Sequence, residues 1–289
     1  MRKLFALHGE ILKMTDNRKV HELTVYTLKT FIAFCEKHNL NYYFTGGALI
    51  GVFRHKGFIP WDDDIDIGMP RQDFDRFHRL ITTEMPEGFA ICNRYTNSNW
   101  HFAMSQFVDL ESDIEIKLAE KPRIANVWID VFPLDGLPSN SIARWFRVKN
   151  ILIHRYLVQI ANIATQVDIQ RDRPWYEKAI LSFCKTIRIG KILNTGRILD
   201  HLEKILRKTD FYDSEYCGNM LGRYREREVV QTKWFGKPIY GLFEGVQVKI
   251  PADSDRILKV LYGDYMKLPP EENRVAHNVK IIKARNIGD

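Results

Sequence analysis

The chain has 289 residues, is 45% hydrophobic and carries a formal net charge of +7, which is typical of a globular protein with a sizeable core. Apolar stretches fall well short of the roughly 18 residues that a membrane-spanning helix needs, and polar residues interrupt the apolar run at the start, so a signal peptide is not indicated. Four widely spaced cysteines without a CxxC pair predict reduced thiols in a cytoplasmic protein rather than a disulfide framework.

The first half of the chain predicts a mixed α/β unit. Apolar residues at helical spacing predict a helix over 18–38, and NYYFTGGALIGVF predicts a short strand, a Gly-Gly turn and a short helix. DDDIDIG alternates polar and apolar residues as a half-buried strand does, and Pro70 is expected to begin the next helix. Further strands are predicted in GFAICNRY, HFAMSQFVDL, DIEIKLA and NVWIDVFPLDG.

The second half of the chain changes in composition. Residues 142–208 contain 14 Lys or Arg and 5 Asp or Glu, a net charge of +9, and predict basic amphipathic helices that face something anionic. Loops and short strands are expected over 210–250, and then a helix in SDRILKVLYGDYM with Asp253 or Ser254 as its cap, followed by a turn-rich tail. We therefore expect three parts: a core with the functional site over 1–140, a basic helical region over 141–210, and a C-terminal part over 211–289 that completes the core.

Four aspartates fall within five positions of the motif FIPWDDDIDIGMP, at 62, 63, 64 and 66. Carboxylates this close repel one another unless water, hydrogen bonds or a cation offset their charge. A solvated acidic loop would be the simplest explanation, but the alternating Ile65 and Ile67 favour a half-buried strand. An EF-hand loop is disfavoured, because Ile67 stands where that loop needs glycine and Asp73 where it needs glutamate.

A magnesium site for phosphoryl transfer explains the cluster best. Two carboxylates two positions apart on one strand can bind one metal ion or bridge two, and leave coordination positions for phosphate oxygens. A third carboxylate from a neighbouring strand would complete the set, and Asp130 in the apolar run VWIDVFP is the candidate. The alternative for Asp130 is a buried acid that is bonded to the backbone or to an arginine.

Three segments together resemble the LicD/fukutin family of nucleotidyltransferase-fold proteins: FTGGALIGVFRHKGFIPWDDDIDIGMPRQDFDRF, WIDVFPLDGLP and YGDYMKLPPEENRVAH. The resemblance is specific over 41–77 and 126–138 and weak through 141–210. It implies an α+β fold with a mixed-sheet core like that of polymerase β, to which a basic helical region is added. It also implies Mg²⁺ as the cofactor, with Mn²⁺ as the alternative, and transfer of a phospho-alcohol from a CDP-activated donor to a sugar.

The resemblance assigns roles residue by residue. Gly46 and Gly47 match the family's turn, and Asp64 and Asp66 match its metal-binding pair. Asp130 matches its third acid. Asp109 and Asp135 stay open as alternatives for the third acid. The glycines let backbone N–H groups approach a phosphate closely, which agrees with a role in substrate binding.

Basic and aromatic residues beside the cluster are candidates for binding the donor. Arg54, His55 and Lys56 would neutralise its diphosphate, although a solvated basic turn explains them as well. Trp61 is the aromatic candidate nearest the acids, because aromatic faces bind quaternary ammonium groups such as choline. Other aromatic candidates are Trp128, Phe132, Tyr224, Trp234, Tyr262 and Tyr265.

The expected substrates are CDP-choline and a lipid-linked sugar of a cell-surface glycopolymer precursor, such as a teichoic acid or a lipopolysaccharide. Choline is preferred over ribitol or glycerol because the resemblance is to bacterial LicD proteins. The basic helices fit either peripheral contact with the anionic inner face of the plasma membrane or a solvated face. Nucleic acid is not an expected partner, because clustered aspartates repel phosphates unless metal is bound. A metal-dependent sugar transferase and an inactive scaffold remain the alternatives.

Overall fold

A computed structural model describes residues 2–97, 100, 102–118, 121–162, 175, 179, 182, 193–274 and 278–287. The helices in these residues are α1 (Arg2–Lys37), α2 (Gly46–Arg54), α3 (Arg71–Ile81), α4 (Ser141–Ala161), α5 (Thr195–Leu206), α6 (Thr232–Phe235) and α7 (Ser254–Tyr262). The strands are β1 (Tyr43–Phe44), β2 (Asp66–Pro70), β3 (Phe89–Cys92), β4 (Ser105–Leu118), β5 (Lys121–Leu137), β6 (Tyr216–Gly218), β7 (Val230–Gln231), β8 (Ile239–Phe243), β9 (Val246–Ile250) and β10 (Asn278–Lys283).

The chain divides into two compact units. The first comprises residues 1–92, 104–133 and 233–289, and the second comprises residues 93–103 and 134–232. Helices and strands occur in both, so the expected α+β class is confirmed at that level. The expected three-part division of the chain stays a prediction.

In the first unit the strands are ordered β1-β2-β5-β4-β10, and β3 also pairs with β4. A hairpin of β8 and β9 forms a separate two-stranded sheet. The core lies between the sheet and the apolar face of α1, where the Phe31 ring meets Tyr42, Phe77 and Phe107 edge to face. These aromatic pairs hold α1 against β4, α3 and the residue before β1, because each adds to the stabilisation from burial alone.

In the second unit α4 and α5 pack together around Val148, Ile151, Leu202 and Ile205. Asn140 caps α4, because its side chain accepts hydrogen bonds from the N–H groups of Ile142 and Ala143, and Asn194 caps α5 in the same way. The end of β5 in this unit pairs with β6, and β6 pairs with β7.

Several element boundaries differ from the sequence prediction. The predicted helix over 18–38 extends back to Arg2, since the preceding residues contain no proline and a single glycine. The predicted strand DDDIDIG begins only at Asp66, because β1 is two residues long and pairs only with Ile67 and Gly68. The sequence RQDFDRFHRLITTEM predicts a helix to residue 85, but α3 ends four residues earlier, at Ile81.

Two further differences concern strands β4 and β10. The strands predicted separately in HFAMSQFVDL and DIEIKLA form the single strand β4, whose pairing with β5 shifts in register between Asp109 and Asp113. The tail contains β10, which the prediction of turns missed although NVKIIK alternates in polarity.

The cap of α7 is Asp253, one of the two residues expected. Cys35, Cys92 and Cys217 are free thiols, as expected, and Cys184 lies outside the described residues.

Candidate active site

Three carboxylates converge in the first unit. Asp64, Asp66 and Asp130 each offer an oxygen atom, and these atoms lie within 4.8 Å of one another. Each side chain is half-buried, so the charges are only partly screened by water. Among the described residues, this is the group of His, Cys, Asp and Glu side chains that has the geometry to hold a metal ion. Oxygen ligands of this kind suit Mg²⁺ or Mn²⁺.

Backbone pairing holds the three acids together. The Asp130 N–H donates to the carbonyl of Ile65 at 3.0 Å. Ile65 lies between Asp64 and Asp66 in the sequence, so this bond brings Asp130 next to both acids. The Thr45 N–H donates to the Asp66 carbonyl at 3.0 Å. Ile65 and Ile67 are fully buried and anchor the segment in the core. The acids are therefore fixed by strand pairing and packing, which explains the Asp-Ile-Asp-Ile pattern of the sequence.

Asp130 has a perturbed carboxyl group. Its pKa is raised to about 7, mainly by burial and also by the charge of Asp64, while a hydrogen bond from Gln106 Nε2 at 2.8 Å acts in the opposite direction. The indole N–H of Trp128 also faces this carboxylate and lowers its pKa, without a hydrogen bond of ordinary geometry. A bound cation would favour the ionised form, because it offsets both the burial and the like charge.

The Gly-Gly turn directly contacts the acidic cluster. Gly46 has a φ of +57°, and a Cβ there would lie 2.6 Å from Oδ2 of Asp66. A Cβ on Gly47 would overlap Oδ2 of Asp62. A Cβ at either position would therefore displace the neighbouring carboxylate, and at Gly46 it would also be strained by the left-handed backbone. The turn opens α2 beside the carboxylates, as the sequence predicted.

The basic turn after α2 is tied to the β8–β9 hairpin. Lys56 has a φ of +59° and its carbonyl accepts a hydrogen bond from the Glu244 N–H, while Glu244 Oε1 accepts one from the Phe58 N–H. Lys56 itself is exposed. Arg54 donates from Nη1 to the carbonyl of Tyr265 at 2.9 Å. These bonds fix the start of the segment that carries the acids.

Trp61 forms a group with three cationic or titratable side chains. The guanidinium carbons of Arg54 and Arg274 lie 6.0 and 5.5 Å from its ring centroid, and His55 meets it edge-on. Burial and, to a lesser degree, the charge of Arg274 lower the pKa of Arg54. Two guanidinium groups of like charge therefore share one indole, which is an arrangement that an anion would stabilise.

Several of the other acids and aromatics that the sequence left open are buried or contact other side chains. Asp109 is fully buried, and its Oδ1 pairs with Arg285 at 2.7 Å. Asp135 lies in the second unit and is also buried. Tyr265 is buried and donates a hydrogen bond to Asp255. Arg227 stacks on Tyr224, and Arg256 on Trp234.

Sequence reasoning missed two residues that belong to these groups. Gln106 is one of them. Phe107 is buried, so alternation along HFAMSQFVDL puts Gln106 on the other face of β4, where its partner across the strand pair is Asp130. Arg274 is the other, and it lies within the C-terminal segment YGDYMKLPPEENRVAH that carries part of the resemblance. A further contact, between His21 Nε2 and the Asp62 carbonyl at 3.0 Å, spans too many residues for local patterns to reveal.

Comparison with known proteins identifies relatives of this chain. Residues 39–148 match the family described as "LicD/FKTN/FKRP, nucleotidyltransferase domain". The lipopolysaccharide cholinephosphotransferase LicD of Haemophilus influenzae is 30% identical over 277 residues, which cover 93% of this chain and 98% of that protein. An uncharacterized protein of Rickettsia typhi is 27% identical over 132 residues, or 45% of this chain and 40% of that protein.

A match over nearly the whole length of both proteins, together with the acidic cluster, defines this chain as a transferase. The chain belongs to the LicD family, as its motifs predicted. Among the residues that the structure describes, no helix combines the length and the apolar character that crossing a membrane requires.

Proposed function

We propose that this protein transfers phosphocholine from CDP-choline to a sugar hydroxyl of a cell-surface glycopolymer precursor in a Mg²⁺-dependent reaction. The observation that carries the proposal is the convergence of Asp64, Asp66 and Asp130 beside the Gly46–Gly47 turn. The fold would be that of a nucleotidyltransferase, in agreement with the description of the matching family. Phosphocholine is proposed because the H. influenzae relative is named a cholinephosphotransferase.

The three carboxylates would hold the metal ion. Mg²⁺, when bound, supplies Lewis-acid neutralisation of the donor's diphosphate oxygens. The backbone N–H groups at the start of α2 lie beside the acids and can donate to the same phosphates. Arg54 and Arg274 supply two positive charges about the Trp61 ring and are suited to the donor's anionic part.

The arginines on Trp61 also bear on where choline binds. A quaternary ammonium needs a free aromatic face, and it is repelled by guanidinium groups. Trp61 therefore suits recognition of the diphosphate rather than of choline. The proposal therefore keeps Trp61 as a substrate-binding residue, but through the two arginines beside it rather than through choline.

The reaction balances as a substitution at phosphorus. The acceptor hydroxyl oxygen attacks the phosphorus that bears choline, and a new P–O bond forms. The bond from that phosphorus to the bridging oxygen of the diphosphate breaks, and CMP leaves. Asp130, which the neighbouring strand β5 contributes, would receive the hydroxyl proton.

Thermal unfolding with candidate donors tests the proposal. CDP-choline, CDP-ribitol, CDP-glycerol and UDP-glucose are added singly, each with and without Mg²⁺. A donor at about 100 times its dissociation constant adds roughly 2.7 kcal/mol to the free energy of unfolding. We expect a Mg²⁺-dependent rise in Tm with CDP-choline, followed by CMP release when a deacylated lipopolysaccharide oligosaccharide is supplied.

The other outcomes separate the alternatives. A rise with CDP-ribitol or CDP-glycerol alone would keep the chemistry and replace choline. A rise with UDP-glucose alone would identify a nucleotide-sugar transferase and overturn the proposed donor class.

A further inference from the structure

One side of α4 exposes a row of large apolar side chains. Ile142, Trp145, Phe146, Ile153 and Tyr156 have exposed fractions of 67, 56, 62, 58 and 44%. At 3.6 residues per turn these positions fall within an arc of about 100° on the helix, and Lys149 falls on the same arc. We call these six residues the α4 stripe.

The α4 stripe is not needed for the core of its own unit. The opposite side of the helix buries Val148 and Ile151 against Leu202 and Ile205 of α5. A helix with one buried side would ordinarily present charged and polar residues on its other side. A contiguous exposed row of apolar residues instead marks a surface that binds something.

Cationic groups accompany the stripe. Lys149 Nζ lies 5.8 Å from the centroid of the Trp145 ring and also pairs with Glu226. The guanidinium carbon of Arg225 lies 5.6 Å from the Tyr156 ring.

We infer that the α4 stripe docks the protein on an anionic lipid bilayer, with α4 lying along the interface. Trp and Tyr favour the headgroup level, and Ile and Phe reach below it. The side chain of Lys149 is 44% exposed and can exchange its surface pair with Glu226 for the lipid phosphates. The net charge of +9 over residues 142–208 adds long-range attraction to such a surface. A second copy of this chain fits less well, because the positive charges of Lys149 and Arg225 would repel the same two residues of the other copy.

The inference deepens the proposed function and rests on it in one respect. A sugar acceptor that is carried on a lipid must be reached at the membrane surface, and a peripheral stripe would bring the enzyme to it. The stripe itself is argued from its exposure, spacing and charge. Binding to lipid and binding to the donor can therefore succeed or fail separately.

Vesicle flotation of the full chain at low salt tests the inference. The vesicles contain either phosphatidylcholine with phosphatidylglycerol or phosphatidylcholine alone. We expect binding to the anionic vesicles that weakens with added salt, and much less binding to the neutral ones. The double variant Trp145→Ser/Phe146→Ser should bind anionic vesicles about tenfold more weakly or worse, which corresponds to the loss of about 1.4 kcal/mol or more.

Two controls keep the test decisive. Tyr240→Ser removes an aromatic ring that is exposed to 61% on β8 in the other unit, and this variant should bind vesicles like the wild type. A second stripe variant, Ile153→Ser/Tyr156→Ser, should repeat the loss if the first variant folds poorly. The Mg²⁺-dependent rise in Tm with CDP-choline should persist in both stripe variants.

Either of two results would overturn the inference: wild-type protein that stays off anionic vesicles, or folded stripe variants that bind them as tightly as wild type. Neither result would affect the proposed transfer reaction. Conversely, lipid binding without any response to CDP-choline would leave the docking surface standing and refute the proposed donor.

Discussion

Gln106 lies directly across the β4–β5 pair from Asp130 and donates a hydrogen bond from Nε2 to Oδ1 at 2.8 Å. The bond fixes the plane of a carboxylate that is proposed to hold a metal ion. Groups that orient a ligand in this way commonly change metal affinity by about 10- to 100-fold when they are removed. Gln106 is thus a positioning residue rather than a ligand.

Gln106→Ala should raise the Mg²⁺ concentration for half of the maximal CDP-choline-induced rise in Tm by about tenfold. The chain offers a matched control, because Asn126 donates in the same way to Asp113 from directly across the same two strands. Asn126→Ala should leave the Mg²⁺ requirement unchanged. Equal effects of the two variants would mean that Gln106 acts only through the stability of the sheet.

Asp64→Asn and Asp66→Asn should each reduce CMP release by about a hundredfold or more, because a bound metal ion contributes several kcal/mol to the transition state. Both variants should stay folded, since each removes one negative charge from a repulsive cluster. Asp63→Asn, at the adjacent position, is the control and should retain turnover. Wild-type rates in a folded Asp64→Asn protein would refute the metal assignment.

Gly46→Ala tests the contact between the turn and the acids. Its left-handed φ should cost about 1–2 kcal/mol of stability, and its Cβ should displace the Asp66 carboxylate and weaken the Mg²⁺ response. Gly245 has a φ of +75°, and a Cβ at that position would meet no atom within 4 Å, so Gly245→Ala should cost stability alone. Thermal unfolding with and without Mg²⁺ and CDP-choline separates the two effects.

The sequence predicted the acids of this site better than it predicted their setting. Asp64, Asp66 and Asp130 could be named because buried isoleucines alternate with acids in one segment and an apolar run flanks the third. Strand alternation could not show that Asp64 and Asp66 lie on one face, because β2 begins only at Asp66 and Asp64 precedes it. The meeting of Asp64 with Asp130 depends on the pairing of Ile65 with Asp130, which no local pattern specifies.

Long-range contacts explain the remaining differences. Asp109 looked like a possible third ligand, but Arg285, 176 residues away, pairs with it. Arg274 joins Trp61 only after the C-terminal segment has folded back to the site. Such partners are chosen by tertiary packing, and periodicity within a window of a dozen residues carries no information about them.

Arg274→Gln should raise the dissociation constant for CDP-choline about tenfold, since a charge-assisted hydrogen bond to a phosphate contributes about 1.5–3 kcal/mol. Arg256 stacks on Trp234 with similar geometry, at 5.9 Å, and Arg256→Gln is the matched control for losing an arginine from an indole face. Isothermal titration with Mg²⁺ present measures both. An unchanged dissociation constant in Arg274→Gln would remove this residue from the donor site.

Glu228 makes the stability of the protein depend on pH. Burial raises its pKa to about 7, although the Tyr224 N–H donates to it and the charge of Arg155 opposes the shift. The folded state therefore keeps a proton that the unfolded state loses near its ordinary pKa of 4.5. The free energy of unfolding should fall as pH rises from about 4.5 to 7, by at most about 3 kcal/mol from this residue, and then level off.

Glu228→Gln should remove that loss, so its advantage over wild type should grow between pH 5 and pH 7 and stay constant above. The control is Glu226→Gln on the same turn. Hydrogen bonding to Lys149 lowers the pKa of Glu226. The free energy of unfolding of the wild type should therefore rise relative to that of this variant as pH increases through the acidic range. Chemical denaturation at several pH values measures both differences. Parallel pH profiles for wild type and Glu228→Gln would show that Glu228 titrates normally in the folded protein.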